Sequence, residues 1–176
     1  MKNNLRLLTA TAIGIALFVV LSLMLQVPVF QNYYLCLGYV AMAVYCYSFG
    51  AASGTAVGAL GVVLYCIIIS GMRGMPGWAL GNVVIGIGLG LSFARSKKLE
   101  SAPLRLAVQA GAIILFTAAG ILGVKSLVDS FIRSQPFLVR AGMNMSAFIA
   151  DVAVLLLSLP ICRLLDPYAK KLLKQQ

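Results

Sequence analysis

The chain has 176 residues; 61% are hydrophobic and only 10% charged, and 14 Lys+Arg against 4 Asp+Glu give a formal net charge of +10. Soluble domains are about 45–50% apolar and about 25% charged, so these side chains could not cover a water-soluble globule, and their hydrophobicity also excludes disorder. An integral membrane protein remains, with its positive charge directed at cytoplasmic loops and anionic headgroups rather than nucleic acid.

Six apolar runs follow one another, at residues 5–26, 33–49, 51–70, 78–93, 104–124 and 141–165. A spanning helix needs about 20 apolar residues, so six leave only short loops and no room for a separate soluble domain. The expected unit is one integral membrane domain over residues 1–176. Strands crossing a membrane would alternate polar and apolar residues; these runs do not, so an all-α protein with six transmembrane helices is predicted.

The first run begins with Lys2 and Arg6. Its apolar stretch is longer than the about 7–15 residues of a cleaved signal, and no small-x-small site follows Gln26, so a retained helix is predicted. Ala12 and Ala16 are spaced as a small-xxx-small stripe, with Ala10 and Gly14 as a second pair. Such stripes let another helix approach closely, from this chain or from another. The second run opens with Tyr33 and Tyr34, just after Gln31 and Asn32.

Gly50, Gly54, Gly58 and Gly61 line the third run, and Gly77, Gly81, Gly86 and Gly90 the fourth. Both read as close-packing helix faces, either for ordinary internal packing or as a sliding surface for a partner or a substrate. Between them, residues 71–77 form a loop rich in breakers around Arg73. Trp78 is the single tryptophan; it suits either an interfacial anchor or the wall of a site. Asn82 lies about one turn deeper, roughly 8 Å into the membrane.

A basic loop with Arg95, Lys97, Lys98 and Arg105 comes next, and Pro103 suits the first turn of the fifth helix. Residues 125–140, with Lys125, Asp129, Gln135 and Pro136, are predicted as an outer loop with a short surface helix. In the sixth run, Asn144 and Asp151 are seven apart and share a face. Asp151 would sit roughly 15 Å deep. A charge there costs about 2.5–3.5 kcal/mol, so it is either a structural hydrogen bond to a neighbouring helix or a functional group.

Cys36, Cys46, Cys66 and Cys162 all lie in apolar runs, without a CxxC pair and in a chain with no histidine. Buried thiols are expected, and no metal site. Orientation follows from the cations. With the N-terminus in the cytoplasm, Lys2, Arg6, Arg95, Lys97, Lys98, Arg105, Arg163, Lys170, Lys171 and Lys174 lie inside, against Arg73, Lys125, Arg133 and Arg140 outside. Both termini are therefore predicted to be cytoplasmic.

The outer half then collects Gln31, Asn32, Tyr33, Tyr34, Arg73, Trp78, Asn82, Arg133, Gln135, Arg140 and Asn144. Aromatic walls with a few donors and acceptors suit a ring-bearing small molecule, and the arginines favour a neutral or anionic one. No GxxxxGK[ST] phosphate loop, HExxH or GxSxG is present, so neither ATP hydrolysis nor catalysis is expected of this chain.

These residues resemble the substrate-binding S components of energy-coupling factor (ECF) vitamin transporters. The likeness is carried by Ala12 and Ala16, by the stretch from Leu37-Gly-Tyr39 through the glycines at 50, 54, 58 and 61, and by Met75-Pro-Gly-Trp-Ala-Leu-Gly-Asn82 with Gly86 and Gly90. The resemblance implies a prokaryotic cell-membrane protein that binds a water-soluble vitamin at its outer side. It also implies docking onto a transmembrane coupling subunit with two ATPase subunits, which use the ATP, and toppling in the membrane. By position, Asn32, Tyr34, Arg73, Trp78, Asn82, Arg140 and Asn144 would hold the substrate, and Ala12 and Ala16 would meet the coupling subunit. Riboflavin, pyridoxine-type compounds, cobalamin and folate remain open; thiamin is disfavoured by the scarcity of acidic residues. The alternatives are a membrane assembly or regulatory protein binding partner helices through its glycine faces, and a lipid-active enzyme built on Asp151.

Overall fold

The computed structural model describes residues 2–24, 28–30, 33–69 and 71–174. Helix α1 (Lys2–Met24) is followed by a two-stranded antiparallel hairpin, β1 (Pro28–Phe30) with β2 (Tyr33–Tyr34), in which Pro28 faces Tyr34 and Phe30 faces Tyr33. Then come α2 (Gly38–Ser48), α3 (Ala51–Ile68), a short 3-10 turn (Met72–Gly74) and α4 (Met75–Ser96). Helix α5 (Ala102–Thr117) runs through a π-helical stretch (Ala118–Lys125) directly into α6 (Ser126–Arg133), and α7 (Phe137–Lys174) closes the chain.

Among the described residues, five helical stretches are long and apolar enough to cross a membrane: Leu5–Met24, Ala51–Ile68, Met72–Ser96, Ala102–Arg133 and Phe137–Ala169. The expected second span at 33–49 differs, because Tyr33 and Tyr34 are held in the hairpin and the helix covers only 11 residues. At 1.5 Å per residue that is about 16 Å, roughly half the hydrocarbon thickness. A short helix suffices because α2 is the centre of the bundle, packed against α1, α3, α4 and α7. Eight of its residues are buried, including Tyr39, Met42 and Cys46. Its apolar composition answers to protein neighbours rather than to lipid.

The glycines of α3 and α4 explain how its neighbours close around it. A Cβ on Gly54 would strike Cys46, one on Gly58 would strike Met42, and one on Gly61 would meet the Phe18 ring at 2.6 Å. Across the α3–α4 contact, a Cβ on Gly86 would lie 2.6 Å from the Thr55 Cα, and Gly90 abuts the Ala51 backbone. These faces are spent on contacts within the chain. The two stripes of α1 separate in the same way. Gly14 is buried against Tyr45 and Val57, whereas Ala12 and Ala16 are exposed beside Ile13, Leu17 and Val20.

Polar contacts gather one end of the bundle. Thr11 Oγ1 donates to Ser53 Oγ at 3.2 Å and the Tyr45 hydroxyl to the Ala10 carbonyl at 2.6 Å. Lys97 Nζ, lying over the Tyr47 ring, donates to the Tyr47 carbonyl at 2.6 Å and pairs with Asp166 at 2.8 Å. The starts of α1 and α3 and the inner parts of α2, α4 and α7 therefore meet at one end. The opposite end holds the cavity described below.

Candidate functional site

The region expected as an outer loop at 125–140 is largely helical and partly buried. The Ala102–Arg133 stretch stays helical through Lys125, and the chain reverses at Ser134, the one described non-glycine residue with positive φ, before α7 begins. The apolar flanks hide the signal: Lys125, Ser126 and Asp129 are buried, while Leu127 and Phe131 point outward.

This arrangement leaves a cavity of about 390 Å³. Its wall takes Ser22 from α1, Leu35 and Cys36 before α2, Tyr65 from α3 and Trp78 from α4. Ile121 and Lys125 come from the π-helical stretch, Asp129 and Arg133 from α6, and Arg140, Met143, Ala147 and Asp151 from α7. The last four form one stripe running down α7, since they recur every three or four residues. The lining charges are three cations and two carboxyl groups, set among apolar and aromatic side chains.

One side of the cavity is a buried ion cluster. Asp129 Oδ2 accepts from Lys125 Nζ at 3.3 Å and from Arg140 Nη2 at 3.2 Å. Lys125 also donates to the Asn144 side-chain oxygen, and Asn144 Nδ2 donates to Ser126 Oγ at 2.9 Å. Asp129 Oδ1 and Arg140 Nε are buried without a hydrogen-bond partner. On the other side, Trp78 Nε1 donates to the Tyr39 hydroxyl at 3.0 Å, and Tyr39 donates in turn to Asn82 Oδ1 at 2.8 Å. Asn82 Nδ2 completes the chain on the Gly58 carbonyl at 3.0 Å. The Trp78 ring stands edge-on to Tyr65, with centroids 5.8 Å apart.

Of the residues expected to bind, Trp78 and Arg140 line the cavity. Asn82 and Asn144 are fully buried behind it, each engaged by neighbouring side chains. Arg73 is exposed on the 3-10 turn and is not part of the lining. Asn32 lies outside the described residues, as does the side chain of Tyr34. Reading by sequence passed over Lys125, Asp129, Tyr65 and Cys36 as site residues. A signal was present for two of them: a Lys and an Asp four apart in an otherwise apolar stretch form a helix-surface pair, and one so placed inside hydrocarbon has to face the bundle.

A family model described as "ECF-type riboflavin transporter, S component" matches residues 2–166. Two UPF0397 proteins of Streptococcus thermophilus, from strains LMD-9 and CNRZ 1066, are each 34% identical over 92 residues, which is 52% of this chain and 50% of theirs. The chain spans about half the length of these curated relatives.

Proposed function

From the premise that the chain belongs to the family of ECF-type riboflavin transporter S components, we propose that it binds riboflavin in the cavity between α4, α6 and α7 and carries it across the cell membrane. It is a membrane transport component, and the family is not one of enzymes. The observation that carries the ligand reading is the cavity itself. Its volume of about 390 Å³ stands near the lower end of the roughly 300–1,000 Å³ of small-molecule sites, which suits one compact ring system better than cobalamin. Trp78 and Tyr65 supply aromatic surface for the ring, and the Lys125–Asp129–Arg140 cluster supplies donors and acceptors for hydroxyl groups.

The test is to purify the protein, release and identify any bound ligand by mass spectrometry, and titrate flavin fluorescence. Tight one-to-one quenching by riboflavin is expected. Trp78→Ala should weaken it by about tenfold, as loss of an aromatic contact does, whereas Arg73→Ala should leave it unchanged. Purified protein that binds no riboflavin would exclude this ligand.

Energy for transport comes, in this reading, from a transmembrane coupling subunit and two ATPase subunits on other chains, with both termini of this one in the cytoplasm. The ten cations that the sequence gathers at one end support that orientation. The exposed Ala12 and Ala16 give the coupling subunit a face that a helix backbone can approach. Replacing both with Leu should keep riboflavin binding and abolish co-purification with the coupling subunit. Undiminished co-purification would move that interface elsewhere.

A further inference from the structure

Asp151 is the carboxyl group of the cavity wall that the ion cluster does not account for. It lies on α7 three turns beyond Arg140 along the same stripe, about 16 Å further in by helical rise. It is 5% exposed and is cavity-lining all the same. Among the described residues it forms no salt bridge; the nearby Lys125 is committed to Asp129 and Asn144. Its protein neighbours are the Tyr39 hydroxyl, which lies within hydrogen-bond reach of it, Lys125 and Cys36. Tyr39 donates its proton to Asn82 while accepting from Trp78. The side-chain donors of Trp78, Asn82 and Asn144 are thus used inside the protein. A carboxyl group at membrane depth is costly, and such groups mark functional sites. This one opens into the space a ligand would fill.

We propose that Asp151 is the specificity-determining acceptor at the floor of the cavity, taking a hydrogen bond from a ring N–H of the bound vitamin. The inference rests on the riboflavin reading and deepens it. The pyrimidine edge of a flavin carries an N–H between two carbonyl groups. A carboxyl oxygen accepts the N–H; Lys125 lines the same wall but is held by Asp129 and Asn144. The hydroxylated chain of the vitamin then points back towards Asp129, Arg133 and Arg140. A site built around one buried acceptor rejects analogues that lack its donor, because the acceptor is then left unpaired.

The experiment compares riboflavin with its N3-methyl analogue, which lacks that N–H. Wild-type protein should bind the methylated flavin roughly 10- to 100-fold more weakly, the loss expected when a buried acceptor is left unsatisfied. Asp151→Leu should lose affinity for riboflavin by a similar factor and bind the two flavins alike. Asp151→Asn, which keeps a carbonyl acceptor, should recover part of both the affinity and the preference. Equal binding of the two flavins by the wild type overturns the proposal without recourse to any variant, and so does a preference that survives in Asp151→Leu. If riboflavin does not bind to the wild type at all, the ligand reading itself fails and this inference fails with it. If riboflavin binds but position 151 has no influence, only the inference fails.

Discussion

Asp129→Asn should destabilise the protein by about 3–5 kcal/mol, the cost of removing one partner from a buried ion pair. The Asp129 side chain is only 2% exposed and its carboxylate is shared by Lys125 and Arg140. Their side chains are 11% and 4% exposed, so water cannot replace the lost charge. The amide keeps the shape and removes the countercharge, leaving two cations facing each other in a poorly hydrated space. For a chain of this size, a loss of that magnitude lowers the melting temperature in detergent by on the order of 10 °C. Asp166→Asn is the comparison. Its pair with Lys97 has side chains 25% and 14% exposed at the other end of the bundle, and a more hydrated pair contributes about 1 kcal/mol or less. Equal melting temperatures for the two variants would show that the Asp129 cluster is not a structural keystone.

Gly90→Leu should be the most damaging single change in the membrane-embedded part. A Cβ there runs into the Ala51 Cα and lies 2.6 Å from the Ala51 backbone nitrogen. Backbone cannot rotate aside as a side chain can, so the α3–α4 contact has to open. Overpacking commonly costs about 1–3 kcal/mol and exceeds that where nothing gives way. The expected result is loss of folded, monodisperse protein in detergent. Gly111→Leu serves as the control, because a Cβ at Gly111 meets nothing within 4 Å. It should fall within about 0.5 kcal/mol of the wild type. Similar behaviour of the two variants would mean that α3 and α4 are not in backbone contact.

The close-packing faces of α3 and α4 were legible before any coordinates, because glycines four residues apart have few uses in a membrane other than close approach; their partners were not, since the α3 glycines meet α2 and α1 while Gly86 and Gly90 meet α3. Which stripe of α1 turns inward was not legible: Ala10/Gly14 and Ala12/Ala16 have the same spacing, and only the position of Tyr45 and Val57 decides between them. Helix α2 was misjudged in length because hydropathy cannot tell a residue facing lipid from one facing protein. The same ambiguity made Lys125 and Asp129 look like loop residues, since charge alone signals water. Trp78 and Arg140 could be placed at the cavity by type and depth. The full burial of Asn82 and Asn144 depends on Tyr39, Gly58, Lys125 and Ser126, which are distant in the sequence or on another turn.

The π-helical stretch Ala118–Lys125 has a consequence for angular phase. Inward-facing side chains along this part of the chain recur at a strict interval of four: Gln109, Ile113, Thr117, Ile121, Lys125 and Asp129 are all buried. In an unbroken α-helix each such step overshoots a full turn by about 40°, so the five steps would wind well around the cylinder. A wider turn, with more residues per revolution, cancels the drift. The widened coil is thus the gear that keeps a hydrophobic stripe at Ile113 and an ionic one at Asp129 on the same side of a single rod.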